Sequence, residues 1–283
     1  MTKVARYCRA ATLEEALDAK RLDPCAAYLA GGTLLLAGDG RDKPESVIDV
    51  GAALPRALRL DLEGGTLSIG AGMSFQELAE AGGAPACLRE AVLTMANRNT
   101  RNRATVGGNI CADKSCSSLI PILLVLDADV ELCSPSRKGS ERTKLDAWLA
   151  SRDAAESSRK DDLVLTVALR LDPSVCATYR RWNRVACDLS VLGAACSYRL
   201  ESGKLHGLRL ALGGLGPKAR RFPAIERLFE GAALPSREEI EATSAPLLNP
   251  IDDLRASAAF KRLRGAQLIA DALCDSMSQG ARP

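Results

Sequence analysis

The chain has 283 residues, 47% of them apolar and 26% charged, with a formal net charge of +3, a composition suited to one large or two ordinary globular domains. That balance speaks against a strongly nucleic-acid-seeking protein, and no apolar run is long enough to span a bilayer. Residues 1–10 lack the apolar core of a signal peptide, so a cytoplasmic location is expected. Ten cysteines, at 8, 25, 87, 111, 116, 133, 176, 187, 196 and 274, form no C-x-x-C and read as reduced and mostly buried. Cys111 and Cys116 stand at an iron–sulfur-like interval, but a cluster needs further thiolates, and no metal ligand is assigned. His206 is the single histidine, which removes most zinc sites and any Ser-His-Asp or Cys-His mechanism that would need a second imidazole for support. Chemistry is therefore expected to belong to a bound cofactor.

In chain order, residues 4–8 read as a strand leading into a helix capped at Thr12, where Thr12-Leu13-Glu14-Glu15 forms a capping box. Residues 26–30 read as a strand ending in the pair Gly31-Gly32, and residues 33–37 as a short helical turn closed by Gly38. Strands follow at 47–50, 58–60 and 66–70, with a turn at Glu63-Gly64-Gly65. Ser74-Phe75-Gln76-Glu77 opens a second capped helix, and residues 85–96 a longer one. The arginine-bearing run 97–103 reads either as a neutralising face for an anion or as a solvated loop.

A buried helix over 117–128, a strand at 130–133, a helix at 143–150 and a strand at 163–169 come next. Residues 151–162 are charged and small, and read as a surface loop with nothing to bury. Pro173 marks a domain junction. Beyond it, strands at 178–182, 189–200 and 205–212 form one antiparallel sheet, and helices begin near Pro223, Ser236 and Asp253. Segregated strands and helices indicate an α+β class.

Two glycine pairs stand out. Thr105-Val106-Gly107-Gly108-Asn109 has a hydroxyl and an amide flanking adjacent glycines, and Tyr28-Leu29-Ala30-Gly31-Gly32-Thr33-Leu34-Leu35 repeats the design. Each fits either a tight turn or a cradle whose backbone amides face a phosphate. Two such cradles suit a ligand with two phosphates. Neither extends to G-x-G-x-x-G, which disfavours a Rossmann site.

Those pairs, Leu119-Ile120-Pro121 after the second, and Tyr179-Arg180-Arg181-Trp182-Asn183-Arg184 leading to Asp188-Leu189-Ser190 occur in an order that resembles one family. It is the FAD-binding subunit of the molybdenum hydroxylases, the group of xanthine dehydrogenase and the medium subunit of aerobic carbon monoxide dehydrogenase. The resemblance runs nearly end to end, from Tyr7-Cys8-Arg9-Ala10 to Gly213-Gly214-Leu215-Gly216-Pro217.

It implies an FAD-binding domain over 1–172, built of two α+β subdomains of the vanillyl-alcohol oxidase type, and an α+β C-terminal domain over 173–283. It also implies that Tyr28, Leu29, Ala30, Gly31, Gly32, Thr33, Leu34 and Leu35, with Thr105, Val106, Gly107, Gly108 and Asn109, hold the FAD diphosphate. Met95 is placed against the flavin ring, Val164 at the adenine end, Leu189 after Asp188 near the isoalloxazine, and Arg180 where relatives carry lysine; for Met95, Val164 and Leu189 core burial is the competing reading. Leu34 and Ser118 stand where relatives have acidic residues.

The implied partners are an iron–sulfur subunit and a molybdopterin subunit, with NAD or another acceptor taking the electrons. The alternatives are a stand-alone flavin oxidoreductase and a scaffold subunit that has lost FAD.

Overall fold

The structure, a computed structural model, describes residues 4–37, 43–153 and 158–280. The first half of the chain runs β1 (Arg6–Arg9), α1 (Leu13–Leu22), β2 (Ala27–Leu29), β3 (Ser46–Asp49), β4 (Leu58–Asp61), β5 (Thr66–Gly70), α2 (Phe75–Glu80), α3 (Ala86–Leu93), α4 (Arg98–Arg101), α5 (Val106–Ala112) and α6 (Leu119–Val125). The second continues with β6 (Asp129–Cys133), β7 (Glu141–Lys144), α7 (Leu145–Ser151), β8 (Leu163–Arg170), β9 (Val175–Trp182), β10 (Leu192–Glu201), β11 (Lys204–Gly213), β12 (Arg220–Arg221), α8 (Pro223–Phe229), α9 (Arg237–Ser244) and α10 (Ala258–Gly280). The class is α+β, as expected.

By packing, the chain divides into two compact units. The first takes residues 1–81, 98–112 and 128–169; the second takes 82–97, 113–127 and 170–283. The units thus interleave along the sequence.

The first unit contains two sheets. One is three-stranded and parallel, in the order β1-β3-β2. Its core is formed by Ala10, Ala16, Ala26, Ile48, Val50 and Leu54, against which Leu13, Leu17 and Tyr28 pack. The helix that covers it starts where the sequence places it: Thr12 Oγ1 accepts the Glu15 amide at 3.2 Å. The Glu15 carboxylate returns to the Ala11 amide, one residue earlier than a strict capping box requires. The other sheet is five-stranded, in the order β4-β5-β8-β6-β7. The Ser74-to-Glu77 capping box is complete and sets α2 at its end.

The second unit is a four-stranded antiparallel sheet, β12-β11-β10-β9, packed against α10 and α6. Leu192, Ala194, Cys196, Leu210, Leu212, Ile269 and Leu273 are among the buried residues of its core. Buried Thr178 donates to the Ala272 carbonyl at 2.7 Å, tying β9 to α10.

Several expectations are corrected. Residues 33–36 form a single turn, as expected, with Leu36 N–H donating to Gly32 O four residues back, while Gly38, expected to close it, lies outside the described residues. Within the run 97–103, Arg98–Arg101 forms a helical turn, and Arg98, Asn102 and Arg103 are exposed. The helix expected over 85–96 stops at Leu93, and the one placed near Asp253 begins at Ala258. Of the supposed surface loop 151–162, residues 154–157 lie outside the described residues, Ser151 ends α7, and Ser158–Asp161 is a 3-10 turn. Asp162 is buried: its carboxylate accepts from Trp148 Nε1 at 2.9 Å and pairs with Arg137 at 2.6 Å. The loop therefore does have something to bury. The cysteines are also less buried than expected, since Cys8, Cys25 and Cys187 are exposed. No helix among the described residues is long and apolar enough to cross a membrane.

Candidate cofactor site

Within the first unit, the first glycine pair meets the backbone that leads into the second. Gly31 follows β2, and an added Cβ there would lie 1.8 Å from the Arg103 carbonyl oxygen and 3.3 Å from the Ala104 Cα. Only hydrogen at this position lets the two backbones touch. The Arg103 side chain crosses the same seam, its Nε donating to Gly31 O at 3.3 Å. Gly32 holds φ = +71°, in the left-handed region that favours glycine.

The amides of the two pairs are used differently. Among the described residues, those of Gly31, Gly32, Thr33, Leu34 and Leu35 meet no protein acceptor. Backbone donors left unpaired at an accessible turn are what an anion cradle requires. In the second pair, by contrast, Val106 N–H donates to Met73 O and Gly107 N–H to Ala71 O, both at 2.9 Å. Gly108 N–H donates to Thr105 Oγ1 at 3.1 Å and Asn109 N–H to Thr105 O at 3.0 Å. Gly107 and Gly108 therefore open α5 and are neither a turn between strands nor a nest of free amides. Gly107 is a packing glycine, its added Cβ lying 2.8 Å from Ala71 Cβ.

A cleft of about 190 Å³ opens at the seam. Ala30, Gly31 and Thr105, all expected from the sequence, line it together with Asn102 and Arg103 of the arginine run, and with Gly51, Arg56, Gly72 and Ser74. Gly51 and Gly72 each follow the end of a strand, a positional signal that the sequence carried without a motif to mark it. The volume is below the roughly 300–1,000 Å³ of a pocket that encloses a whole small ligand, so the cleft suits one segment of a larger one. Arg56 is matched by Glu77 at 2.7 Å.

The remaining residues expected in the first unit lie as follows. Tyr28 and Leu29 sit in the β2–β3 ladder. The Tyr28 hydroxyl is buried with no hydrogen-bond partner among the described residues, its pKa raised by burial, and the Lys20 ammonium stands 5.7 Å from its ring centroid. Its side chain thus belongs to the lobe core. Leu34 is exposed and Leu35 half-buried. Val164 is buried in β8, its amide directed at the Cys111 sulfur.

The others belong to the second unit. Met95 is half-buried just past α3, with its amide on Val92 O. Ser118 is buried and hydrogen-bonded to Tyr179, whose hydroxyl burial pushes up to about 12. At this position, where the resemblance implies an acidic residue in relatives, a neutral hydroxyl therefore satisfies a buried phenol. Arg180 is paired with Glu90, and its Nη1 also donates to Tyr179 O at 2.8 Å. Asp188 pairs with Arg184 at 2.9 Å, which holds its carboxyl below the usual range. Leu189 is exposed, so core burial does not account for it.

His206 lies on β11, 3.9 Å from a Glu230 oxygen, in a surface position. Among the described residues no group of three or more His, Cys, Asp or Glu could hold a metal ion.

Comparison with known proteins extends this picture. Residues 2–169 match the family model of the FAD binding domain in molybdopterin dehydrogenase, and residues 177–275 match the CO dehydrogenase flavoprotein C-terminal domain. The chain is 32% identical over 283 residues to the protein YgfM of Escherichia coli (strain K12), covering 98% of each. It is 31% identical over 276 residues to the xanthine dehydrogenase FAD-binding subunit of Escherichia coli O157:H7, covering 92% of each. In structure it is similar to a chain of carbon monoxide dehydrogenase from Hydrogenophaga pseudoflava, with a TM-score of 0.87, 24% identity and 99% coverage of both chains.

Proposed function

The chain belongs to the family of FAD-binding domains in molybdopterin dehydrogenases, and from that premise we propose that it is the electron-transferring flavin subunit of a multi-subunit molybdenum hydroxylase. In this reading it accepts electrons from an iron–sulfur subunit and passes them to NAD or another acceptor, while a molybdopterin subunit oxidises the substrate. The proposed layout is an FAD-binding domain over 1–172 and a C-terminal domain over 173–283.

One observation carries the assignment of the site: Gly31 meets Arg103 at the cleft, and among the described residues the amides of 31–35, which run on from it, have no protein acceptor. These residues fit a diphosphate. The loop after β2 supplies backbone donors, Thr105 a hydroxyl, and Arg103 a positive charge. The second glycine pair contributes by bringing backbone close, since its own amides are engaged. The flavin, when bound, supplies chemistry that links two-electron and one-electron transfer. The chain's own part is to hold and orient the cofactor, so no residue is assigned a proton-transfer role.

The visible spectrum of the purified chain before and after addition of FAD tests this. Flavin bands that persist through gel filtration and fade in a folded Gly31→Val variant are the expected result. A colourless protein that FAD cannot reconstitute would overturn the electron-transfer assignment for this chain. Co-purification of molybdenum and iron with the chain tests the proposed partners.

A further inference from the structure

We infer that Arg103 is the residue that recognises the anionic charge of the ligand in the seam cleft, clamping the diphosphate against the loop 31–35; this rests on the reading of that cleft as the diphosphate site. Four arginines lie around α4 and the cleft, and three of them are engaged elsewhere. Arg56 pairs with Glu77 at 2.7 Å, Arg98 pairs with Glu80 at 2.6 Å, and Arg101 Nε donates to Gln76 Oε1 at 3.0 Å. Arg103 is exposed, lines the cleft, and among the described residues meets no carboxylate.

Its bond to Gly31 is informative. The Nε donates to Gly31 O at 3.3 Å, at the long end of the hydrogen-bond range, which ties the guanidinium to the loop 31–35, whose amides meet no protein acceptor among the described residues. A planar guanidinium held there presents paired N–H groups to phosphate oxygens, whereas an ammonium on a flexible stem acts as a point charge. The engaged amides of Val106, Gly107, Gly108 and Asn109 strengthen the argument, because the second loop must then contribute its charge through a side chain. Arg103, three residues before Val106, is placed to do so.

The test uses the full-length chain and compares equilibrium binding of FAD with that of riboflavin, which has the same ring but no phosphate. Arg103→Gln is expected to weaken FAD roughly tenfold to a hundredfold, the range for a charge-assisted bond, and to leave riboflavin binding unchanged. It should also flatten the dependence of FAD affinity on salt. Arg103→Lys is expected to keep the salt dependence while recovering only part of the affinity. Arg103→Gln that binds FAD with wild-type affinity and salt dependence would overturn the inference. So would equal losses for FAD and riboflavin, which is what a residue that merely fastens the two loops would produce. Wild-type protein that binds no FAD would overturn the cofactor reading itself, and needs no variant to detect.

Discussion

Gly31 and Arg103 are in backbone contact across 72 residues of sequence: a Cβ on the glycine would fall 1.8 Å from the arginine carbonyl oxygen. That oxygen cannot yield by rotating, because it belongs to the chain between α4 and α5. Gly31→Ala is therefore expected to push the two loops apart, at about 1–3 kcal/mol of stability, the usual cost of overpacking. Gly32→Ala should be milder, at about 1–2 kcal/mol for its left-handed φ, since its Cβ would meet only the side chains of Leu29 and Leu36 at 3.1 and 3.3 Å. Thermal melts alongside FAD titrations check the order. Greater loss of FAD affinity in the Gly32 variant would contradict it.

Gly107 serves a different end from Gly31, although the sequence gives them the same look. Alanine in the first turn of a helix normally gains up to about 1 kcal/mol over glycine. At Gly107 the added methyl would lie 2.8 Å from Ala71 Cβ and 3.1 Å from the Ala71 oxygen that accepts the Gly107 amide. We expect Gly107→Ala to destabilise by about 1–3 kcal/mol despite the gain in helix propensity. Adding Ala71→Gly should restore part of the loss, and a double variant no more stable than the single one would show that the contact is not the cause.

Most of the fold was legible because it rests on local signals. The Thr12, Ser74 and Ser236 caps mark helix starts whatever surrounds them, and apolar runs such as residues 163–169 mark strands. The site was legible in part. The glycine pairs pointed to the seam, but which amides remain unpaired depends on the carbonyls of Ala71 and Met73, some thirty residues upstream. Gly51, Gly72 and Ser74 line the cleft for the same non-local reason. Asp162 was misread because its partners, Arg137 and Trp148, precede it by 25 and 14 residues, so the segment looked like a solvated loop.

Thiol reactivity offers a check on the fold that involves no cofactor. Burial pushes the Cys196 thiol up to about 12 and the Cys87 and Cys133 thiols up to about 11, while Cys8, Cys25 and Cys187 are exposed. Only the thiolate is alkylated readily, so labelling of the native protein should be confined at first to the three exposed cysteines. Peptide mass spectrometry after a short exposure to iodoacetamide near neutral pH reads this directly. Early modification of Cys196 would show that the β9–β10–α10 core is not packed as described.

The charge cluster around Asp162 should give the protein an acid-sensitive limb. Arg159, hydrogen-bonded to Glu141 at 2.9 Å through both of its terminal nitrogens, holds the Glu141 carboxyl below the usual range, and Arg137 adds to the effect. A carboxyl whose pKa is depressed by folding contributes stability that is fully present above its unfolded value, about 4.3, and is lost as the pH falls through the folded value. Melting temperature is therefore expected to drop as the pH is lowered below about 5, and Glu141→Gln should flatten that limb. At neutral pH the same variant should cost less than about 1 kcal/mol, because Glu141 is 36% exposed and its pairs are screened by water. Asp162→Ala should cost more, about 3 kcal/mol, since its carboxylate is 1% exposed and its loss strips Trp148 Nε1 and Arg137 of a buried acceptor. A Glu141→Gln protein with an undiminished acid limb would place the titrating group elsewhere.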